Sequence, residues 1–108
     1  MQLPMEIFGE VIVVHAPEEF SEESSPAILS FITSQERSKV VLEMDGTENL
    51  DSAGLSTLLT AQENLRGRNG DLRIFTNNHV NRKIFEITRL DQQLEIYESV
   101  LDAVRSFA

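Results

Sequence analysis

VVLEMDGTENLDSAGLSTLLTAQENL, residues 40–65, is the stretch that decides the fold of this chain. Its first five residues are mostly apolar and end at Asp45-Gly46, which is typical of a strand followed by a turn. Apolar residues then recur with helical spacing at Leu55, Leu58, Leu59 and Leu65. Because aspartate and serine are favoured N-caps, the helix is predicted to begin at Asp51 or Ser52. The stretch therefore predicts a strand, a corner and an amphipathic helix.

The residues before this stretch predict two further strands and another helix. Val11–Val14 is a run of four β-branched residues, typical of a strand that is buried on both faces. Ile7-Phe8 predicts a short edge strand that turns back through Gly9-Glu10. Ser24-Ser25-Pro26 predicts a helix start, with a serine cap and a proline in the first turn. The apolar stripe of that helix consists of Ile28, Phe31 and Ile32.

The residues after the stretch continue the alternation. Gly67 and Gly70 are predicted to end the central helix, and residues 72–75 to form the next strand. Asn77-Asn78 is predicted to cap a short helix, and residues 94–96 to form a last strand. The predicted inner face of the short helix is Val80, Ile84 and Ile87, with Phe85 beside it. Ser99 is predicted to cap a terminal helix with Val100, Leu101, Val104 and Phe107 on one side.

This alternation predicts an α/β fold with right-handed crossovers and a mostly parallel central sheet. The length suits one domain, expected to span residues 1–108. We expect a sheet of four to five strands, one of them an N-terminal edge strand, with about four helices. The core is expected to come from Val11–Val14, Val40–Leu42 and Ile74.

Charge narrows the classes of partner. The chain has 9 basic and 18 acidic residues, for a formal net charge of −9. Phosphate backbones and anionic lipids repel such a chain, so neither nucleic-acid binding nor membrane insertion is expected. A basic protein surface is a better candidate. The sequence lacks the ~18-residue apolar run of a membrane span and lacks a secretory signal, so we expect a cytoplasmic protein.

Residue types also exclude several chemistries. Cysteine is absent, which rules out a disulfide, a thiolate metal site and a cysteine nucleophile. His15 and His79 have no evident third ligand, so we expect no metal site and interpret both as polar loop or strand-end residues. A glycine-rich phosphate loop is absent as well, and no cofactor is expected.

Ser52 is the candidate functional residue. A serine at a helix start lies where backbone N–H groups lack partners and where a phosphate is favoured. The N–H groups of Ala53, Gly54 and Leu55 are the expected donors, and Gly54 is expected to let a partner approach the backbone closely. The simpler interpretation is that Asp51-Ser52 only caps the helix. The two roles are compatible.

Residues 51–55 (DSAGL) resemble the D-S-x-G-L phosphorylation motif of the STAS family, which includes bacterial anti-sigma factor antagonists and domains of sulfate transporters. Gly67 and Gly70 resemble the family's glycine-bearing turn. Residues 78–90 resemble a further family segment, S-P-x-V-x-x-x-F-x-x-x-G-L, in which Arg89 replaces the common glycine before Leu90. The resemblance implies a small mixed sheet flanked by four helices.

The resemblance also implies a binding function without catalysis. In the antagonists, the unphosphorylated protein binds an anti-sigma factor, and this factor is a serine kinase that phosphorylates the motif serine and so dissociates the pair. Ser52 holds that position, and Ala53 replaces a second hydroxyl residue found in many antagonists. Asp51 is expected to orient the Ser52 hydroxyl. The expected contact face contains Asp51, Ser52, Ala53, Gly54 and Leu55 together with Glu18 and Glu19. A monomer or weak dimer is expected.

Three alternatives remain open at the level of sequence. An enzyme is disfavoured because Ser52 lacks a Gly-x-Ser-x-Gly elbow and neither histidine has a supporting motif, so no catalytic residue is assigned. A constitutive STAS subunit of a transporter or signalling assembly would use the same corner without phosphorylation. A weak nucleotide site at the corner is the third alternative.

Overall fold

Strands and helices alternate along the chain in the computed structural model, which describes residues 1–108. The strands are β1 (Met5–Phe8), β2 (Val11–His15), β3 (Glu19–Phe20), β4 (Lys39–Glu43), β5 (Asn49–Leu50), β6 (Asp71–Phe75) and β7 (Ile96–Tyr97). The α-helices are α1 (Ser25–Thr33), α2 (Ser52–Arg66), α3 (His79–Ile87) and α4 (Val100–Arg105), and Leu90–Gln92 forms a 3₁₀ turn. None of the helices is both long and apolar enough to span a bilayer.

The main sheet has five strands in the order β1-β2-β4-β6-β7. β1 pairs antiparallel with β2, and every other neighbouring pair is parallel. Val41 in β4 lies opposite Val13 in β2 and Arg73 in β6. The predicted mostly parallel sheet with an N-terminal edge strand and four helices is therefore confirmed.

The core lies on both faces of this sheet because successive strand residues point to opposite sides. Ile12 and Val14 belong to a cluster of 16 buried residues that also includes residues of α1, α2 and α3. Val11, Val13 and Val41 instead pack with Ala103 of α4 on the other face. The predicted core of Val11–Val14, Val40–Leu42 and Ile74 is confirmed, since each of these residues is buried.

The predicted inner face of α3 is wrong. Val80 is 64% exposed and Ile87 is 72% exposed, while Asn81 and Phe85 are the buried residues of the helix. The Asn81 side-chain amide donates to the backbone carbonyls of Met44 (3.2 Å) and Thr47 (2.9 Å). These bonds and the burial of the Phe85 ring set the rotation of α3, so its aliphatic stripe lies outward.

The terminal helix and one helix cap differ from the sequence predictions in smaller ways. Leu101 is 53% exposed, because α4 packs against the sheet through Val100, Ala103 and Val104. Ser24 is the N-cap of α1 but makes no side-chain cap bond; its hydroxyl donates to the Glu19 carbonyl at 2.9 Å instead. Gly67 ends α2 as predicted.

A feature that the sequence did not predict is a second, two-stranded sheet. β3 and β5 pair in parallel, with Glu19 opposite Asn49 and Phe20 opposite Leu50. Each strand is only two residues long, too short to give a periodic signal. The pairing places Glu18 and Glu19 beside the start of α2, where Ser52 lies.

Candidate functional site: the Ser52 corner

Asp51 organises the corner at which β5 meets α2. It is the N-cap of α2, and its Oδ1 accepts a hydrogen bond from the Gly54 N–H at 2.9 Å. Its Oδ2 accepts a second bond from the N–H of Glu22, at 3.0 Å. The pKa of the Asp51 carboxyl is lowered from its ordinary value, chiefly by the Gly54 N–H, because these donors favour the charged form. Asp51 thus caps the helix and ties the turn after β3 to it.

Ser52 is the first residue of α2 and is exposed. The hydrogen bonds of the Asp51 carboxylate run to backbone N–H groups, and the Ser52 hydroxyl takes part in none of them. The hydrogen bond by which Asp51 was expected to orient this hydroxyl is therefore not formed, and the carboxylate bonds backbone N–H groups instead. The Ser52 hydroxyl is left uncommitted at the surface.

Gly54 has a packing role instead of the predicted access role. It is buried, and a Cβ at this position would lie 2.5 Å from the carbonyl oxygen of Phe20 and 2.9 Å from Cδ1 of Leu50. Only a residue without a side chain allows α2 to start this close to β3. The missing side chain makes room for the protein's own backbone, so a partner cannot use that space.

The backbone donors at the start of α2 are largely in use. The Gly54 N–H is bonded to the Asp51 carboxylate and the Leu55 N–H to the Asp51 carbonyl, at 3.0 Å. Two of the three N–H groups that were expected to face a phosphate therefore have internal partners. Ala53 and Leu55 are half-buried, and Leu55 packs against the core.

Glu18 and Glu19, just before and in β3, lie exposed beside this corner. The carbonyl of Glu18 accepts hydrogen bonds from the N–H groups of Glu48 (2.9 Å) and Asn49 (3.1 Å), which anchors these residues to the segment before Ser52. Residues 16–36 and 40–65, which build the corner, contain no lysine or arginine. The corner therefore presents negative charge, and the segments that build it contain no lysine or arginine to balance this charge.

His15 lies at the end of β2, as predicted for a strand-end residue. Its Nδ1 lies 2.8 Å from Glu43 Oε2 and its Nε2 lies 2.7 Å from Glu6 Oε1. These two contacts raise the pKa of the imidazole above its ordinary value, and the contact with Glu43 has the larger effect. No group of three or more His, Asp or Glu side chains is arranged to hold a metal ion. His79, the other histidine, is exposed at the first position of α3.

Comparison with known proteins relates this chain to one family. A family model described as STAS domain matches residues 2–103. No match was found among curated protein sequences. An anti-sigma factor antagonist from Mycobacterium paratuberculosis is 23% identical and superposes with a TM-score of 0.84 over 97% of this chain and 92% of that chain.

Two further solved structures have the same fold in different settings. The unphosphorylated anti-sigma factor antagonist SpoIIAA is 14% identical, with a TM-score of 0.72 over 97% of this chain and 96% of that chain. Bacillus SpoIIAA is also solved in a phosphorylated form, with a TM-score of 0.70, 16% identity and coverage of 99% and 100%. The murine anion transporter Slc26a9 is 13% identical, with a TM-score of 0.77 over 92% of this chain and 18% of that chain. At such identities the likeness establishes the fold alone.

Proposed function

Because the chain belongs to the STAS domain family, we propose that it is a non-catalytic binding module of the anti-sigma factor antagonist type, switched by phosphorylation of Ser52. In this proposal the unphosphorylated protein binds an anti-sigma factor that is also a serine kinase. That partner phosphorylates Ser52 and is then released. The proposal places both proteins in a bacterial cytoplasm, with this chain as a monomer or weak dimer.

The observation that carries the proposal is the state of the Ser52 side chain. Ser52 is exposed at the first position of α2, while the neighbouring Asp51 makes the cap bonds. A kinase can reach such a hydroxyl without unfolding the helix. Modification would leave the bonds of Asp51 to Gly54 and Glu22 in place, so the fold is expected to persist.

The switch would act through local charge. A neutral hydroxyl is buried under a partner at small cost, whereas a phosphate adds about −1.5 to −2 charges. The segments that build the corner supply no lysine or arginine to pair with that charge. Desolvating the phosphate at the interface is therefore costly, and a loss of ~3 kcal/mol would weaken binding more than a hundredfold.

The contact face of the proposal consists of exposed and half-buried residues around Ser52. Asp51, Ala53 and Leu55 flank it, and the β3–β5 pairing brings Glu18 and Glu19 to the same corner. Gly54 contributes to this face indirectly, through the close packing of α2 on Phe20. Glu18 and Glu19 can pair with basic partner residues at their own positions. The Ser52 hydroxyl is expected to meet a part of the partner without a cation, so that a phosphate there stays unpaired.

A second candidate is a constitutive subunit of a transport or signalling assembly. It is supported by the occurrence of the same fold as part of the anion transporter Slc26a9. In that role the Ser52 corner would contact its partner without being modified. The two candidates differ in one observable, which is the effect of a phosphate at Ser52 on partner binding.

The test uses the full chain as bait in lysate of its source organism, with and without ATP. We expect Ser52→Ala to retain its partner in both conditions, the wild-type chain to lose it with ATP, and Ser52→Asp to bind weakly throughout. Ser34→Asp is the control and should bind as the wild type does, because Ser34 is exposed at the end of α1 that lies away from the corner. Mass spectrometry should locate phosphate on Ser52 of the wild-type chain. Equal capture by Ser52→Ala and Ser52→Asp, with no phosphate found, would favour the constitutive subunit.

A further inference from the structure

The outer surface of α3 is an apolar face that nothing in the chain covers. Val80, Ile84 and Ile87 follow one another at helical spacing, and Val80 and Ile87 are 64% and 72% exposed. They line a shallow groove of about 350 Å³. We call this surface the α3 groove; its lining residues are His79, Val80, Lys83, Ile84 and Ile87.

The outward orientation of this face is fixed by the rest of α3. Asn78 Oδ1 accepts hydrogen bonds from the N–H groups of Val80 (2.9 Å) and Asn81 (3.1 Å). The buried Asn81 amide donates to two backbone carbonyls, and Phe85 is fully buried in the core. Turning α3 to bury its aliphatic stripe would break these bonds and expose the Phe85 ring. The exposed stripe is therefore a property of the folded chain.

The first turn of α3 is attached to the loop that leads to the Ser52 corner. Asn81, in the first turn of α3, bonds to the carbonyl of Thr47 at 2.9 Å. Thr47 and Ser52 are five positions apart in the sequence, and five residues span at most about 18 Å. A standard interface covers about 800 Å² on each partner, which is wide enough to include both sites.

The size and charge of the groove indicate what covers it. A helix of nine residues is about 13.5 Å long, so one of its faces supplies far less than the ~800 Å² per partner of a stable complex. The groove therefore needs a wider interface, and the neighbouring Ser52 corner offers one. Two copies of this chain would each carry a net charge of −9, which opposes pairing through a small patch.

The cations near the groove indicate the sign of the occupant. Lys83 is the one lysine or arginine among the residues that line the groove, and Glu86, one turn further along α3, is not among them. Arg82 pairs with Glu98 at 3.1 Å, whereas Lys83 lines the groove without an ion-pair partner. The groove therefore favours an acidic residue beside an apolar one, the opposite of the acidic Ser52 corner.

We propose that the α3 groove binds an apolar segment flanked by acidic residues, in the same partner protein that covers Ser52. This inference rests on the proposed function. The partner would cover Ser52 with one part of its surface and place its apolar, acid-flanked segment over α3. Phosphorylation would act at the first contact, while the second contact would supply affinity that does not depend on charge at Ser52.

The test measures binding of the protein that Ser52→Ala captures and Ser52→Asp does not, once it is purified. We expect the double substitution Val80→Ser/Ile87→Ser to raise the dissociation constant at least about tenfold, and Lys83→Glu to raise it as well. Leu101→Ser is the matched control, because Leu101 is 53% exposed on α4, across the sheet from α3, and should change nothing. Circular dichroism should be native for all of these variants, since the substituted side chains are on the surface.

Each other outcome overturns the inference in a distinguishable way. A change of less than about twofold in the double variant would exclude the groove from the interface and leave the proposed function intact. If no partner binds differently to Ser52→Ala and Ser52→Asp, both the inference about the groove and the proposed function are wrong. A purified wild-type dimer that the double substitution dissociates would assign the groove to a second copy. Binding to vesicles of phosphatidylcholine and phosphatidylglycerol, lost in the double variant, would assign it to a membrane.

Discussion

The backbone N–H of Glu22 donates a hydrogen bond to Asp51 Oδ2 at 3.0 Å, across 29 residues of sequence. The same carboxylate caps α2 through the Gly54 N–H. One side chain therefore holds the helix start and the turn after β3 in a fixed relation. The shape of the surface around Ser52 depends on this pair.

Replacing Asp51 tests that dependence. Asp51→Ala removes both acceptors, so we expect a lower midpoint of urea unfolding and faster amide exchange at Glu22 and Gly54. Asp51→Asn keeps one carbonyl acceptor for the Gly54 cap bond and should lose less stability. The lowered pKa of Asp51 means that its stabilisation is present above the unfolded-state pKa and is lost as the pH falls through the folded-state pKa. Equal exchange rates in all three proteins would contradict this role.

Gly54 should tolerate no side chain. A Cβ there meets the Phe20 carbonyl oxygen at 2.5 Å, and that oxygen also accepts the Asp51 N–H at 3.3 Å. We expect Gly54→Ala to lower the free energy of unfolding by about 1–3 kcal/mol despite the better helix propensity of alanine. Gly46→Ala is the control, because a Cβ at Gly46 would have no neighbour within 4 Å, and a change of about 0.5 kcal/mol or less is expected. Equal unfolding midpoints for the two variants would refute the packing role.

Replacing Arg89 with glycine should stabilise the fold. Its φ of 62° lies in the left-handed region, which costs a residue with a side chain about 1–2 kcal/mol. Arg89 is exposed, so its replacement removes little packing. After the entropic cost of glycine, Arg89→Gly should raise the free energy of unfolding by about 0.5–1 kcal/mol. Asn69→Gly is the comparison. Asn69 has a φ of 65°, but asparagine adopts the left-handed region more readily than arginine, so the gain in the free energy of unfolding should be smaller.

His15 should make stability depend on pH near neutrality. Its raised pKa reflects contacts with Glu43 and Glu6, the two charged side chains that bond to the imidazole. The stabilisation is complete below the unfolded-state pKa of about 6.5 and is lost as the pH rises through the higher folded-state pKa. Unfolding midpoints should therefore fall with rising pH in this window. His15→Gln should flatten the dependence, while His79→Gln should keep it. An unchanged slope in His15→Gln would contradict the assignment.

Local patterns in the sequence predicted most of the fold. The β-branched run Val11–Val14 and the apolar Val40–Leu42 are buried strands, and Asp51 and Ser99 cap helices as expected. The family motif at residues 51–55 located the corner as well. Such features depend on interactions within a few residues, which is why the sequence alone is enough to predict them.

The rotation of a helix about its own axis and the contacts between distant segments could not be predicted in the same way. The spacing of Val80, Ile84 and Ile87 correctly indicated an amphipathic helix, but the aliphatic stripe faces outward because Asn81 and Phe85 hold the inner positions. The two-residue strands β3 and β5 carry no periodic pattern. The role of Gly54 depends on Phe20, which lies 34 residues earlier in the chain.

The sequence by itself determined the order of the five main-sheet strands and the four helices, the acidic character of the chain and the position of Ser52 at a helix start. Tertiary structure alone decided that Asp51 binds the Glu22 N–H, that Gly54 accommodates Phe20, and that α3 exposes its aliphatic stripe. The physical reason is how far apart in the sequence the interacting residues lie. Periodicity and capping arise from neighbours along the chain, whereas burial and hydrogen-bond partners are settled only when distant segments compete for the same space.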